Sequence, residues 1–194
     1  CNRNLNRRTR KKKEEFIIME ISREWVMPNS KTFRIKPIKN IIEKYSQNKK
    51  IIIDPFANES SIKEILPKDS IYINNDIDEE FDTQYHLEAY DFLKMFDNES
   101  VDMVLYDPPY SPRQVSECYK KIDRTVTMKD TQASYFSRFK KEIARILKQG
   151  GICISCGWNS NGIGKTLGFE IIEIKLLAHG GMHNDTLVTV ERKK

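Results

Sequence analysis

The amino-acid sequence predicts an α/β protein built on a doubly wound, mostly parallel sheet. Short apolar segments rich in β-branched residues alternate with segments of helical periodicity along most of the chain. One of them, Ile51 to Ile53, is continuously apolar, which is typical of a strand buried on both faces of a parallel sheet. Two strand-like segments follow each other near the C-terminus, and they predict an antiparallel strand added late.

The first half of the chain supplies one clear helix and two strands. In the helix, Ile38, Ile41, Ile42 and Tyr45 recur at helical spacing, and Pro37 stands where a first turn tolerates proline. Strands are predicted at residues 51–53 and 70–74, with a short helix between them at residues 60–68. Because the connection is so short, the two strands form a tight crossover unit.

The middle of the chain contains a strand that ends abruptly. A turn and short helix are expected at residues 91–96, before a strand at residues 101–106. That strand stops at Asp107-Pro108-Pro109-Tyr110, since two adjacent prolines cannot continue a hydrogen-bonded ladder. A polar, basic stretch then extends from Ser111 to Thr131.

The last third of the chain continues the alternation of helices and strands and then ends in two successive strands. A helix from about residue 133 to 148 is expected to end at Gly150-Gly151, in the manner of a helix C-cap. The remaining elements are a strand at 152–156, a short helix at 163–167, and strands at 169–178 and 186–191.

Composition and charge narrow the functional classes. The 194 residues suit a single domain, with 39% hydrophobic and 31% charged residues, and the net charge of +5 suits a polyanionic partner. The four scattered cysteines do not form the dense framework of a secreted, disulfide-rich domain. No apolar stretch approaches the roughly 20 residues of a membrane span, and no signal segment is recognisable, so we expect a cytoplasmic protein without a membrane partner.

The N-terminal segment differs from the rest of the chain. Residues 1–18 are basic and poor in apolar residues over most of their length, which predicts a flexible arm, with one domain over residues 19–194. The arm is either a solvated leader or a tail that grips phosphate groups.

Acidic residues follow the predicted strands. Asp54, Asp76 and Asp107 each come at or just after a strand, and Asp91 lies in the loop between the last two of these strands. In open α/β sheets the ligand binds beyond the carboxyl ends of the strands, so these acids predict a ligand rich in hydroxyl and amino donors.

The segment Asp107-Pro108-Pro109-Tyr110 suits chemistry on a planar amine. The lone pair of an exocyclic amine is delocalised into its ring, so the amine becomes nucleophilic only when its N–H groups are drawn out of plane. The Asp107 carboxylate can accept one N–H and the Pro108 carbonyl the other, while the prolines fix the backbone direction. Tyr110 can stack on a base that has swung out of a duplex.

This D-P-P-Y segment after an apolar strand resembles motif IV of the amino-methyltransferases, above all the DNA adenine-N6 methyltransferases. The resemblance implies a Rossmann-like class I methyltransferase fold, S-adenosylmethionine as cofactor, double-stranded DNA as substrate, and catalytic roles for Asp107, Pro108, Pro109 and Tyr110. Asp54-Pro55-Phe56-Ala57-Asn58 is similar to motif I of that family. The segment Thr32 to Ile38, with Lys36 and Pro37, resembles the part that contacts the methionine end of the cofactor. The resemblance further implies cofactor contacts from Asp76 and Ile77 and from Asp91 and Phe92.

Two departures from the family pattern leave alternatives open. Motif I lacks its glycines, so either Ala57 and Asn58 adopt the required turn or cofactor binding is weakened. A separate target-recognition domain is also missing. DNA contacts would then come from the basic stretch and from the loop at residues 179–184, and specificity would be short or delegated to a partner. The basic candidates are Arg113, Lys120, Lys121, Arg124 and Lys129.

Several other interpretations remain at this point. The same site could methylate cytosine N4, RNA or a protein amide, or the chain could be a binding subunit that has lost catalysis. A homodimer or a partner subunit is compatible with either. Cys153 and Cys156 with His179 and His183 imitate zinc-ligand spacing, but residues three apart in a strand face opposite sides. We therefore expect packing cysteines and no metal site.

Overall fold

The computed structural model describes residues 18–29, 31–59, 62–127, 130, 132–181 and 183–194. The strands are β1 (Glu20–Trp25), β2 (Ile51–Asp54), β3 (Ile71–Asn74), β4 (Val101–Tyr106), β5 (Leu147–Gly157), β6 (Phe169–Ala178) and β7 (Thr186–Lys193). The α-helices are α1 (Lys36–Ser46), α2 (Ala89–Lys94), α3 (Pro112–Lys121) and α4 (Ala133–Ile146). Short 3-10 turns lie at Thr32–Arg34, Lys63–Ile65 and Lys165–Leu167. The predicted arm, apart from Ile18, falls outside the described residues.

The strands form one sheet in the order β1-β6-β7-β5-β4-β2-β3. Strand β7 is antiparallel to both β5 and β6, and the other neighbouring pairs are parallel. This arrangement confirms the predicted fold class: a doubly wound, mostly parallel sheet with an antiparallel strand near the C-terminus.

The order of the strands creates a crevice between β2 and β4. The chain passes from β2 to β3 on one side and returns to the other side of β2 as β4. Loops leaving the carboxyl ends of β2 and β4 therefore diverge, and such switch points are where open α/β sheets bind ligands.

Helices cover the two faces of the sheet with separate apolar clusters. Helix α1 packs on one face through Ile38 and Ile42, both fully buried. Helices α2 and α4 pack on the other through residues such as Phe92 and Phe139. Cys153 belongs to the second cluster and Cys156 to the first, which confirms that the two thiols face opposite sides of β5.

The structure corrects the predicted end of the last helix. Helix α4 ends at Ile146, and Leu147 is already extended and pairs with Val101 of β4. Gly150, with a φ of +75°, lies within β5, where the register against β4 shifts. The prediction that the two glycines cap the helix is therefore wrong, because they form an irregularity in the strand instead.

Two elements were not predicted. Strand β1 pairs in parallel with β6 at the edge of the sheet, and its mixed polar sequence hides its strand character. Helix α3 occupies the first half of the polar, basic stretch. It begins at Pro112, and its N-cap, the Ser111 hydroxyl, accepts a hydrogen bond from the Gln114 amide at 3.2 Å. Within the described residues, no helix is long and apolar enough to cross a membrane.

Candidate active site

A cavity of about 630 Å³ opens at the carboxyl ends of β2, β3 and β4. Its volume lies within the range of pockets that bind small molecules and cofactors. The walls come from the loops after these three strands, the loop before α1, the start of α2, helix α3 and one side chain of α4. The residues that line it include Thr32, Phe33, Pro55, Phe56, Ala57, Asn58, Asp76, Ile77, Leu87, Glu88, Asp107, Pro108, Pro109, Tyr110, Gln114, Tyr119, Lys120, Lys121 and Tyr135.

The loop after β2 forms the glycine-free turn that the sequence left open. Asn58 has a φ of +48°, in the left-handed region that asparagine tolerates better than most residues. Its backbone N–H donates to Asp76 Oδ2 at 2.8 Å, and the Ala57 N–H donates to the Asn75 carbonyl at 2.9 Å. Asn58 therefore supplies the left-handed conformation of this turn, whereas Ala57 is not among the described residues with positive φ.

Asp76 lies at the end of β3 and joins two loops at the cavity wall. While Oδ2 holds Asn58, Oδ1 accepts a hydrogen bond from the Asp78 N–H at 3.0 Å. Burial raises the pKa of the Asp76 carboxyl above its ordinary value, although these backbone hydrogen bonds lower it. Each oxygen keeps a lone pair that can accept a hydrogen bond from a ligand hydroxyl.

Asp54 is fully buried and does not line the cavity. Its carboxyl accepts hydrogen bonds from the Phe56 N–H and the Tyr72 hydroxyl, each at 3.1 Å. Burial raises its pKa well above the ordinary range, and the nearby charge of Asp107 adds to the effect. Asp54 therefore supports the turn beneath the cavity, whereas the next four residues of motif I reach the lining.

Asp107 follows β4 and borders the cavity with the three residues after it. The Tyr110 hydroxyl donates a hydrogen bond to Asp107 Oδ1, and the Thr32 hydroxyl also hydrogen-bonds with this carboxyl. Burial raises the pKa of Asp107, and these two hydrogen bonds oppose the shift. The Gln114 side chain accepts from the Tyr110 N–H at 2.6 Å and fixes the backbone after the prolines.

Part of the predicted cofactor set lies elsewhere. Lys36 is exposed and Pro37 is buried, and neither lines the cavity, because α1 begins at Lys36 and turns away from it. The same segment instead contributes Thr32 and Phe33, from the 3-10 turn before the helix.

The residues Asp91 and Phe92 also lie outside the lining. Asp91 is an exposed residue of α2 whose carboxylate is 3.5 Å from Lys94 Nζ, and Phe92 is fully buried beneath the helix. The two residues before α2, Leu87 and Glu88, line the cavity instead.

Glu88 is the centre of a network that the sequence did not reveal. Its carboxylate accepts hydrogen bonds from the hydroxyls of Tyr119 at 3.0 Å and Tyr135 at 3.1 Å. It also pairs with Arg124 at 3.1 Å and Arg138 at 2.9 Å. These side chains come from α3, α4 and the segment between them, so the network fixes that wall of the cavity.

The basic candidates divide into three groups. Lys120 and Lys121 line the cavity at the end of α3. Arg113 is highly exposed and pairs with Glu117, while Arg124 is held by Glu88 and lies 4.6 Å from the ring centroid of Tyr119. Lys129 falls outside the described residues.

Sequence reasoning thus missed five residues of the cavity lining, namely Leu87, Glu88, Gln114, Tyr119 and Tyr135. Thr32 and Phe33 belong to the predicted segment Thr32 to Ile38, but Lys36 and Pro37 were singled out within it. Glu88 has no comparable signal, because Asp91-Phe92 matches the family pattern better.

Comparison with known proteins supports the fold. No protein-family model matches the chain, and no curated protein matches it. Among solved structures, TrmN from Thermus thermophilus superposes with a TM-score of 0.57 at 15% identity, over 82% of this chain and 49% of that one. The fold is that of S-adenosylmethionine-dependent methyltransferases.

Two further structures agree with this assignment. The 1,6-didemethyltoxoflavin-N1-methyltransferase of Burkholderia thailandensis, solved with S-adenosylhomocysteine, has a TM-score of 0.55 at 10% identity and covers 82% of this chain and 77% of its own. The putative methyltransferase yhhF from Escherichia coli has a TM-score of 0.54 at 10% identity, over 88% and 92% of the two chains. This chain therefore spans about half the length of TrmN but most of the length of the other two.

Proposed function

We propose that the chain transfers a methyl group from S-adenosylmethionine to the N6 amine of adenine in double-stranded DNA. The observation that carries the proposal is a single cavity bordered both by Asp76 and Asn58 and by Asp107 and Pro108. The first pair suits a cofactor with hydroxyl groups, and the second suits a planar amine. The methyltransferase fold supports the same conclusion.

The cavity has the chemistry that this cofactor needs. The Asp76 carboxylate has lone pairs free for ribose hydroxyls, and Ile77 and Leu87 offer apolar surface to a purine ring. Thr32 and Phe33 stand at the Asp107 end of the cavity, where the methionine part would lie. When bound, S-adenosylmethionine would supply an electrophilic methyl group on a positively charged sulfur, and Asp107 is the carboxyl group that borders this end of the cavity.

The chain's own residues prepare the amine. The Asp107 carboxylate accepts one N–H and the Pro108 carbonyl the other, so the nitrogen lone pair is freed from the ring and aimed at the methyl donor. The two prolines hold that carbonyl in place at no further conformational cost. The transfer would be direct: the methyl–sulfur bond breaks as the methyl–nitrogen bond forms, S-adenosylhomocysteine leaves, and N6 loses one proton to solvent. No nucleophilic side chain is needed.

Tyr110 has two tasks in this scheme. Its hydroxyl occupies Asp107 Oδ1 in the structure, so the carboxylate is already oriented before substrate arrives. The remaining lone pairs of that carboxylate accept the amine hydrogen, and the Tyr110 ring offers a face to the flipped base.

The choice of adenine in DNA has its own support. The acid of D-P-P-Y favours adenine, because the related amino-methyltransferases of cytosine N4 more often have serine at this position. Lys120 and Lys121 place positive charge at the mouth of the cavity, where a phosphate backbone would pass. The overall charge of +5 agrees with a polyanionic substrate.

The test is methyl transfer from labelled S-adenosylmethionine to duplex DNA, followed by digestion and identification of the nucleoside. We expect N6-methyldeoxyadenosine. Label in cytosine, in RNA or in protein alone would contradict the substrate assignment. Calorimetry with S-adenosylhomocysteine separates the remaining alternative, since a binding subunit without catalysis would give no label and no heat.

A further inference from the structure

A second depression, of about 480 Å³, lies at the same end of the sheet. Leu176 of β6 pairs with Leu187 of β7, and Leu187 pairs in turn with Gly157 of β5. These leucines give the depression an apolar floor. Trp158, directly after β5, forms one wall, and His183, Asn184 and Asp185 of the loop between β6 and β7 form the rim.

Trp158 connects this depression to the active-site cavity. Its ring centroid lies 5.8 Å from that of Tyr110, with the planes at 69°, so the two aromatic rings meet edge to face. Tyr110 lines the first cavity and Trp158 lines the second. The pair therefore forms the partition between the two spaces.

Trp158 is also substantially exposed. Its exposed fraction is 44%, whereas Phe33 in the active-site cavity is buried. An exposed indole beside a ligand cavity gains free energy when a flat ring covers it, and stacking on nucleobases is tolerant of base identity.

The rim adds hydrogen-bonding groups above the apolar floor. His183 and Asn184 are exposed, and an asparagine amide offers both donors and an acceptor to the edge of a base. Asp185 is committed to the loop, since its Oδ1 accepts a hydrogen bond from the His179 N–H at 3.1 Å. This bond holds the two ends of the loop together below the rim.

We propose that the depression binds the nucleobase next to the target adenine, stacked on Trp158, with Asn184 and His183 at its edge. This inference rests on the proposed function and identifies how a chain without a separate recognition domain holds its substrate. A short stretch of nucleic acid would place the target beyond Tyr110 and its neighbour against Trp158. The partition keeps the two bases apart.

Binding can be followed by the fluorescence of one indole, because the chain has two tryptophans, Trp25 and Trp158. The Trp25→Phe variant leaves Trp158 alone, and the Trp158→Phe variant leaves Trp25, which lines neither cavity. With S-adenosylhomocysteine present, a trinucleotide with central adenine should quench Trp25→Phe saturably and leave Trp158→Phe unchanged. Equal quenching of the two variants, or none in either, would overturn the proposal.

Kinetics test the role of the same site in turnover. Trp158→Ala should raise KM for the trinucleotide about tenfold or more, and should raise KM for deoxyadenosine monophosphate much less, because no neighbouring base is present there. Trp158→Phe should restore most of the loss, and Trp25→Ala is the matched control. An affinity for S-adenosylhomocysteine within threefold of wild type shows that each variant is folded. Asn184→Ala provides a second probe of the same depression.

The outcomes separate the two proposals. Wild-type methylation with an unaffected Trp158→Ala variant would overturn the second site and leave the proposed function standing. Saturable quenching of Trp158 by the trinucleotide, without methylation of any nucleic acid, would support the second site and overturn the proposed function.

Discussion

Buried carboxylates occur in both halves of the sheet, but their surroundings differ. In the outer half, Glu173 of β6 accepts hydrogen bonds from Lys44 Nζ at 2.7 Å and the Tyr45 hydroxyl at 2.9 Å. The hydrogen bond from Lys44 to Glu173 is the main reason that the pKa of Lys44 is raised above its ordinary value. The chain itself supplies the partners that a buried acid requires.

Glu191 of β7 is satisfied in another way. It is fully buried, and its carboxylate accepts backbone N–H groups from Ile163 and Gly164. Burial raises its pKa, and the two hydrogen bonds oppose that shift. Like Glu173, it ties one segment to the sheet and faces no ligand cavity.

The acids at the carboxyl ends of β2, β3 and β4 also have two hydrogen-bond partners each within the chain. Among the described residues, Asp54, Asp76 and Asp107 take part in no salt bridge, and burial raises the pKa of each. Two of them border a cavity. The comparison teaches that a buried acid away from the cavity is structural, whereas two half-buried acids at the wall of a cavity suit a ligand with hydrogen-bond donors.

The largest expected effect is on catalysis. Asp107→Ala removes one of two acceptors for the amine and should lower methyl transfer about 100- to 1,000-fold, which is the contribution of one pre-organised transition-state contact. Labelled transfer to DNA and calorimetry with S-adenosylhomocysteine would measure it, and cofactor affinity should stay within a few-fold. Near-full activity would remove Asp107 from the mechanism.

The matched control is another acid of the same strand. Asp102 pairs with Lys148 at 2.9 Å at the start of β4, far from the cavity lining. Asp102→Asn should lower stability while keeping activity at saturating substrate.

The next effect should fall on cofactor binding. Asp76→Ala loses an acceptor for hydroxyl groups and releases the Asn58 N–H, so the Kd for S-adenosylhomocysteine should rise about 10- to 100-fold. The kcat at saturating cofactor should change much less. Asp69→Asn, on a surface pair with Lys50, is the control and should change neither. An unchanged Kd in Asp76→Ala would place the ribose elsewhere.

In the outer half, the effect should fall on stability alone. Glu173→Gln weakens the bonds with Lys44 and Tyr45 and should lower the free energy of unfolding by about 1–3 kcal/mol. Chemical denaturation would measure this loss, and kcat and KM should stay within twofold. A large loss of activity without a loss of stability would erase the distinction between the two halves.

The pH dependence should reveal the Asp107 carboxyl. Because only the ionised form accepts the amine, activity is present above its pKa and is lost as pH falls through it. Burial raises that pKa, so the acid limb of kcat should lie above the ordinary range of aspartate. Tyr110→Phe removes a hydrogen bond that lowers the pKa and should move the limb to higher pH. An acid limb that stays in place in Tyr110→Phe would exclude an effect of the Tyr110 hydroxyl on the pKa of Asp107.

The smallest effect concerns the glycine-free turn. Asn58→Gly should be nearly neutral, because glycine adopts a φ of +48° without strain, whereas Asn58→Ala should cost about 1 kcal/mol. Thermal unfolding of the two variants would show the difference. Equal stability would mean that the turn relaxes to another conformation.

Much of the fold could be predicted because apolar periodicity is a local property. The strand after α1 is continuously apolar at residues 51–53, and the strand before D-P-P-Y is apolar except at Asp102; they proved to be β2 and β4. Strand β1 escaped prediction because a mostly exposed edge strand carries little apolar pattern. The end of α4 escaped because Gly150 serves a strand irregularity that depends on the distant β4.

The site was predicted where strand ends and motifs coincide, and missed where helices decide. Asp76 and Asp107 follow strands, so their place at the cavity is a consequence of the sheet. The residue at which α1 begins decides whether Thr32 or Lys36 reaches the cavity. The orientation of α2 decides whether Glu88 or Asp91 reaches it. Such orientations depend on tertiary packing, which a single sequence does not display.

A crystal structure with a non-transferable cofactor analogue and a short adenine-containing DNA duplex would test the central claim most directly. The account predicts a flipped adenine whose N6 lies about 2.7–3.2 Å from both the Asp107 carboxylate and the Pro108 carbonyl oxygen. The cofactor would lie between Thr32 and Leu87. An adenine held away from Asp107, or a cofactor outside the cavity, would contradict it.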